Sequence, residues 1–365
     1  MPRMNRQLIQ VVAQLKPSRC GVSDHALSLA QELKTTFGID TTFVVLNSDE
    51  KSEVPYPSIH CAPNQLLGTC LSINNNEPGA ILVHLSGYGY SRDGAPTQLA
   101  NALSTIKQDG RFRVAVYFHE LCAKSMPWRS AFWHSFRQKR AIGTIASECD
   151  LRLTNTQLHA NWLERNTTNQ SSAPVQLLHV FSTIDASVTP GPILPRVPAM
   201  AVFGLIGSRR MAYRFLSSQG AYLNALGIKE IIDIGPDFDA PHLLHGIPVR
   251  SMGQLPPTDL ASLLSTLMFG FVPHPFANLA KSSIFASYCA LGVVSVVSEP
   301  SSVEVDGLRD GVHLVSRKTV DAAISAGVEH CSAAALDWYF THRKHIHAAT
   351  YASWLLEPYS KQPNQ

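Results

Sequence analysis

Residues 189–198 read Thr-Pro-Gly-Pro-Ile-Leu-Pro-Arg-Val-Pro, and Ala201-Val-Phe-Gly-Leu-Ile206 follows almost at once. Four prolines in ten residues fix φ and delete backbone donors, which excludes a central strand or a helix interior. The stretch reads as a linker, and the apolar run after it reads as the first strand of a second domain. Behind it, strand-length apolar runs at Leu8–Leu15, Thr42–Leu46, Ile81–Leu85, Val114–Phe118 and Leu151–Thr154 alternate with helical patterns. These lie at His25–Phe37, Thr97–Ile106, Ser130–Ser147 and Gln157–Arg165. Ahead of it the rhythm restarts, with helices at Ala212–Leu226, Asp259–Leu267 and Ser282–Leu291 and strands at Ile231–Ile234, Phe269–Val272 and Val293–Val297. Such alternation predicts parallel sheets covered by helices on both faces. The segment Ala333–Leu356 reads as one long helix rich in aromatic residues. The expected fold class is therefore α/β, with two Rossmann-like domains facing across a cleft. Open sheets of this kind take ligands at the carboxyl ends of their strands.

The composition suits this reading. A chain of 365 residues exceeds what one core ordinarily supports. Hydrophobic residues make up 45% and charged residues 16%, which excludes a disordered chain. Thirty basic against 27 acidic residues leave a net charge of +3, which gives no reason to expect a nucleic-acid partner. A local basic patch would still allow peripheral contact with a membrane surface. No apolar run is long enough to span a bilayer. The basic start, Met-Pro-Arg-Met-Asn-Arg, runs into a first strand rather than a signal-peptide pattern. Seven scattered cysteines without a CxxC pair point to a reducing compartment, so a cytoplasmic protein, peripheral at most to the inner membrane face, is expected.

Five stretches could carry chemistry. The loop with Gly21-Val-Ser23-Asp24 precedes a helix and suits either an anion at the helix N-terminus or plain capping. His84-Leu-Ser-Gly-Tyr-Gly-Tyr90 ends an apolar strand, and Tyr88 and Tyr90 could form a platform for a sugar or simply pack. Tyr117-Phe-His119-Glu120 ends another strand, where a His–Glu pair can share a proton or hold a hydroxyl; Lys124 and Arg129 add cations nearby. Gly207-Ser-Arg209-Arg210 follows the first strand of the second half, and guanidinium groups there suit a diphosphate. Lys281-Ser282-Ser283 stands at a predicted helix start and offers an ammonium, two hydroxyls and backbone donors to phosphate oxygens. His342, His345 and His347 have no carboxylate or cysteine at ligand spacing, so no metal site is expected.

Taken together, these stretches resemble the GT-B-fold glycosyltransferases, most nearly the retaining family 4 group. Pro17–Asp24 is similar to that family's acceptor-side loop, Phe118-His119-Glu120 to its strand-end histidine motif, and Val202–Arg210 to the start of its donor domain. Ala286–Ser298 is similar to its helix–glycine–strand segment. The resemblance implies an acceptor-side domain over residues 1–190, a nucleotide-sugar domain over 199–335, and a terminal helix over 336–365 that returns to the first. It implies sugar transfer from a nucleoside-diphosphate sugar, with retention, to a glycan or glycolipid hydroxyl, without metal or cofactor. His119 would contact the transferred sugar with Glu120 beside it, while Gly21, Ser23, Tyr88, Tyr90 and Arg129 bind substrate. Gly207, Arg209, Arg210, Lys281, Ser282 and Ser283 would hold the diphosphate, with the backbone near Gly253 meeting the base. The chain departs from the family at one signature. Aligned on Gly292, the paired glutamates fall at Leu279 and Ser287. Losing the carboxylate that meets the donor ribose supports a second reading, an inactive carbohydrate- or nucleotide-binding protein. A third is another enzyme on the same fold, a sugar-nucleotide epimerase or a phosphorylase.

Overall fold

The computed structural model describes residues 7–16, 20–47, 52–122, 130–167, 174–184 and 196–357. They form two compact units, one of residues 1–179 with 344–365 and one of 180–343.

The first unit follows the order β1 (Gln7–Val12), α1 (Gly21–Phe37), β2 (Asp40–Val45), β3 (Ser58–His60), α2 (Leu66–Ile73), β4 (Gly79–Leu85), α3 (Gly87–Tyr90), α4 (Thr97–Asp109), β5 (Phe112–Phe118), α5 (Ser130–Glu148), β6 (Leu151–Thr154), α6 (Gln157–Asn166) and β7 (Gln176–Leu177). Its sheet runs β3-β2-β1-β4-β5-β6-β7, with every pairing parallel. Two buried faces explain the unbroken apolar runs in the strands. Ile9, Val11, Ile81, Val83, Val114 and Val116 pack on one side beneath α4 and α5. Val12, Phe43 and Val45 pack on the other side against Ala26 and Ala30 of α1.

The second unit holds β8 (Val197–Phe203), α7 (Ile206–Leu216), α8 (Gly220–Ala225), β9 (Glu230–Ile234), β10 (Leu243–Leu244), β11 (Ile247–Ser251), α9 (Pro257–Thr266), β12 (Leu267–Val272), α10 (Ser283–Ala290), β13 (Val294–Val297), α11 (Val320–Ala326) and α12 (Glu329–Phe340). The order is β10-β11-β9-β8-β12-β13, parallel except for the short β10–β11 pair. In both sheets the first strand of the unit is central and the chain winds outward both ways from it, the doubly wound pattern.

Three expectations shift. The second unit begins at Val180, ahead of the proline-rich stretch, because Val180 N–H donates to the Ala280 carbonyl (2.9 Å) and Ser182 N–H to the Tyr339 hydroxyl (3.2 Å). Residues 185–195 of that stretch lie outside the described residues. The terminal helix is two helices. Alpha-12 ends at Phe340 and stays in the second unit, whereas α13 (Lys344–Leu356) belongs to the first, packed on α1, with Lys344 and His345 both facing Glu32 at 3.9 and 3.3 Å. Finally, α7 begins at Ile206 rather than Ala212, so Gly207–Arg210 lies in its opening turn.

Close backbone packing places special demands on glycine at the carboxyl edge of the second sheet. Gly235 sits at φ +149°, and a methyl group there would stand 2.2 Å from the Gly204 carbonyl oxygen. Gly207 has open space around it. Gly235→Ala is therefore expected to cost more than about 2 kcal/mol in urea unfolding. Gly207→Ala, on a helix, is expected to change stability by less than about 1 kcal/mol, in the stabilising direction.

Candidate functional site

In the second unit, successive strand ends meet along one edge. Gly235, after β9, donates its N–H to the Gly253 carbonyl beyond β11 (2.9 Å). Gly204, after β8, donates to Ile234 (3.1 Å), and a Cβ on it would meet Ile284 Cδ1 at 2.8 Å. Ile284 lies in the first turn of α10. The edge thus runs without a break from Gly253 through Gly235 and Gly204 to the α10 N-terminus. Ser282 caps that helix, its hydroxyl accepting from Phe285 N–H (3.3 Å). Helix geometry leaves the other first-turn N–H groups without intrahelical acceptors, a setting that favours an anion. Lys281 and Ser283 are partly exposed beside it. His274, after β12, loses basicity through burial first and the nearby Lys281 charge second, so it is neutral at pH 7.

The adjacent Arg209 and Arg210 of α7 part company. Arg210 is exposed, but Arg209 is turned inward and 1% exposed. Its guanidinium pairs with the Asp233 carboxylate at 3.3 Å, donates to the Pro236 carbonyl and lies 4.9 Å over the Phe238 ring. Tyr213 hydroxyl donates to the other Asp233 oxygen (3.0 Å). Burial raises the Asp233 carboxyl, while Arg209 and then Tyr213 pull it back. This corrects the expectation that Arg209 offers its charge to a diphosphate: that charge is already committed beneath Gly235. An (i, i+1) pair on a helix cannot share one face, and this is why one arginine is buried and the other solvated.

In the first unit, four imidazoles converge near the ends of β4 and β5. They come from His25 on α1, His84 on β4, His119 just past β5, and His347 on α13, and all are buried. His84 Nε2 faces Gln10 Oε1 (2.8 Å) and its Nδ1 faces His119 Nε2 (3.2 Å). Gln10 Nε2 points to Thr41 (3.4 Å), so its Oε1 is the acceptor toward His84. His84 is then the Nε2–H tautomer, and His119 donates to its Nδ1. The His25 ring stands 4.9 Å edge-on to His119 and 5.5 Å from His347. Burial pushes His84 and His347 down to about 3, and pushes His25 and His119 well below the ordinary imidazole range, with the neighbouring imidazoles adding to the effect. All four rings are neutral at pH 7.

The other expected residues divide between surface and scaffold. Glu120 is exposed and accepts from Ser86 hydroxyl (3.2 Å), rather than pairing with His119 among the described contacts. Tyr88 is 49% exposed. Tyr90 corrects the idea of a two-tyrosine platform, because its hydroxyl donates into the Val11 and His84 carbonyls (3.2 and 3.1 Å) and anchors α3 to the sheet. Ser23 is likewise corrected. It is 1% exposed and gives its hydroxyl to the Gln14 carbonyl (2.6 Å), tying α1 to the loop after β1. Gly21 stays open at the helix start. Arg129 lies outside the described residues. His345 faces Glu32 and His347 faces the His179 carbonyl in the first unit, while His342 belongs to the second. Leu279 and Ser287, at the family's glutamate positions, are buried, and Ser287 exchanges a hydrogen bond with Ser182 (3.0 Å). The His25–His84 contact was missed because 59 residues separate two histidines with no motif between them.

No family model and no curated protein matches this chain. Solved structures do. An alpha-glucosyltransferase in complex with UDP-glucose and DNA containing an abasic site aligns with a TM-score of 0.58 at 12% identity, covering 96% of this chain and 99% of that one. The apo OtsA structure aligns at 0.57 and 12%, covering 97% and 100%. The UDP-forming alpha,alpha-trehalose-phosphate synthase from Burkholderia xenovorans with glucose-6-phosphate aligns at 0.56 and 10%, covering 96% and 99%. The chain has the GT-B fold. Among the described residues, no helix is long and apolar enough to cross a membrane.

The scaffold role of Arg209 has a measurable consequence. Asp233→Asn strands a buried guanidinium and is expected to cost about 3–5 kcal/mol in chemical denaturation. Arg210→Ala, on the exposed face, should stay within about 0.5 kcal/mol of the parent.

Proposed function

We propose that this GT-B chain is a glycosyltransferase that moves a sugar from a nucleoside-diphosphate sugar to a hydroxyl of a glycan or glycolipid. The observation that carries the reading is the continuous edge in the second unit: Gly253, Gly235, Gly204 and the α10 N-terminus, flanked by Lys281, Ser282 and Ser283. Glycines permit close backbone approach, and a helix start with an adjacent ammonium favours phosphate oxygens. As the sugar leaves, negative charge accumulates on the diphosphate, and fixed donors aimed at that charge stabilise the transition state. Lys281 is the principal cation in this scheme and Arg210 a peripheral one, with Gly207 proposed to offer its backbone from the first turn of α7; Arg209 holds the edge from beneath. The peptide near Gly253 is assigned to the base.

The first unit is assigned the acceptor side. His119 and Glu120 are the proposed catalytic groups. Gly21 and Tyr88 are proposed to line the acceptor, while Ser23 and Tyr90 hold the elements that present it. The UDP-sugar and UDP complexes among the structural neighbours support a nucleotide-sugar donor. Three of those complexes also contain DNA, but the near balance of 30 basic and 27 acidic residues here favours an uncharged acceptor. Retention of anomeric configuration and a cytoplasmic location, peripheral to the inner membrane face, complete the proposal.

The second reading is a nucleotide- or carbohydrate-binding protein without turnover. Ser287, turned inward to Ser182 where the family has a carboxylate, favours it. Calorimetry with UDP, GDP and ADP tests the shared premise. One of them is expected to bind, and Lys281→Ala is expected to weaken binding by at least about tenfold, in the range of a lost charge-assisted hydrogen bond. No binding by any of the three rejects the transfer reading and the nucleotide-binding form of the second. Binding without sugar release from any donor, tested against glycolipid extracts, favours the second.

A further inference from the structure

The four buried imidazoles have no role in the donor site, and their arrangement is unusual for a core. Each comes from a different element, and a packed apolar interior would be cheaper to build from hydrocarbon side chains. One ring nitrogen from each of three of them, His25, His84 and His119, lies within 4.8 Å of the other two. We propose that His25, His84 and His119 form a binding site for one divalent transition-metal ion of the zinc class.

Distance supports the assignment. A tetrahedral ion with metal–nitrogen bonds of about 2.0–2.1 Å separates its ligand atoms by about 3.3 Å. His84 Nδ1 and His119 Nε2 already stand 3.2 Å apart. The His25 nitrogen has to close by on the order of 1 Å to complete the set. Donor chemistry selects the ion: an all-imidazole shell suits zinc, cobalt, nickel or copper, whereas magnesium and calcium need oxygen ligands. The fourth position is left to water, as in three-histidine sites with an open coordination place.

The surroundings already do what outer-shell groups do for metal ligands. Gln10 Oε1 accepts from His84 Nε2–H and so turns the Nδ1 lone pair inward. Thr41 holds Gln10 from the next strand. His347, whose Nε2 faces the His179 carbonyl at 2.9 Å, packs against His25 and supports its ring. The proton that His119 shares with His84 has to leave Nε2 when the ion binds. It moves to His119 Nδ1, so the imidazole stays neutral and no net proton is released. Two of the three ligands sit on or directly after central strands and the third on the helix across them, so the site is carried by rigid elements.

The site shares His119 with the proposed catalytic pair, but its test uses no nucleotide, so its failure is distinguishable from failure of the transfer reading. Full-length protein, stripped with a chelator and exchanged into chelator-free buffer, is titrated with Co2+ while the visible ligand-field absorption is followed. The expected result is an intense four-coordinate spectrum that saturates at about one equivalent and is displaced by zinc. His84→Gln should weaken the ion by at least about a hundredfold, and Gln10→Ala by about 10–100-fold. His345→Gln, on the surface, should bind as the parent does. Far-UV circular dichroism confirms that each variant is folded. If a variant unfolds, the parent titration alone decides. Absence of a saturable four-coordinate spectrum in the parent overturns the proposal, and so does a folded His84→Gln protein that binds like the parent.

Discussion

Parallel strand pairing is the constraint on which the rest of this protein depends. Each parallel step requires a crossover, and crossovers cover both faces of the sheet with helices. The strands must then be apolar throughout, as Ile81–Val83 and Val114–Val116 are. All backbone functionality that remains for a ligand gathers where strands end and helices begin. In the second unit this places Gly204, Gly235, Gly253 and the start of α10 in one continuous line. In the first it places His84, Ser86, His119 and Glu120 at neighbouring strand ends, since β4 and β5 pair in register from Gly79↔Phe112 to Leu85↔Phe118.

The same constraint divides the charges into two kinds. Arg209 and Asp233 are buried together, and their value lies in holding the strand-end peptides in place, with the Pro236 carbonyl accepting from Arg209 and the Tyr213 hydroxyl donating to Asp233. Such a pair contributes little net stability but is costly to break. Lys281 lies beside a capped helix start and keeps its charge available. The anion-binding capacity assigned to the second unit therefore rests on one lysine and on peptide groups, rather than on an arginine cluster. Among the described residues, the first unit carries no comparable buried ion pair around its histidines. There, neutrality is enforced by burial, and four uncharged rings share one interior.

Much of the fold was legible from Ala201–Ile206 and the strand rhythm around it, because hydrophobic periodicity acts locally. Beta-6 falls at Leu151–Thr154 as read, and the long strands shift by only a few residues at their ends. What sequence could not show was set by tertiary contacts. Nothing local marks Val180 as the start of the second unit; its partner is Ala280, a hundred residues on. Ala333–Leu356 reads as one helix because both halves are apolar, and the break at residues 341–343 appears only once α13 is seen packed on α1. The site was half legible. The strand-end position of His119 and the helix-start position of Lys281 follow from periodicity, but which hydroxyls are spent on the scaffold does not. Ser23 and Tyr90 each look available in sequence and are each bonded to a carbonyl of the sheet or of the loop after β1. His25 and His84 are ordinary core positions until topology brings them together.

The central claim is that the carboxyl edge of the second sheet receives a nucleoside diphosphate. Hydrogen–deuterium exchange of the full chain, with and without saturating UDP, GDP or ADP, addresses it at the level of individual peptides. The account predicts slower exchange confined to segments 203–208, 251–254 and 281–285 with at least one of the three nucleotides. Unchanged exchange in all three segments, or protection found only in other parts of the chain, would contradict it.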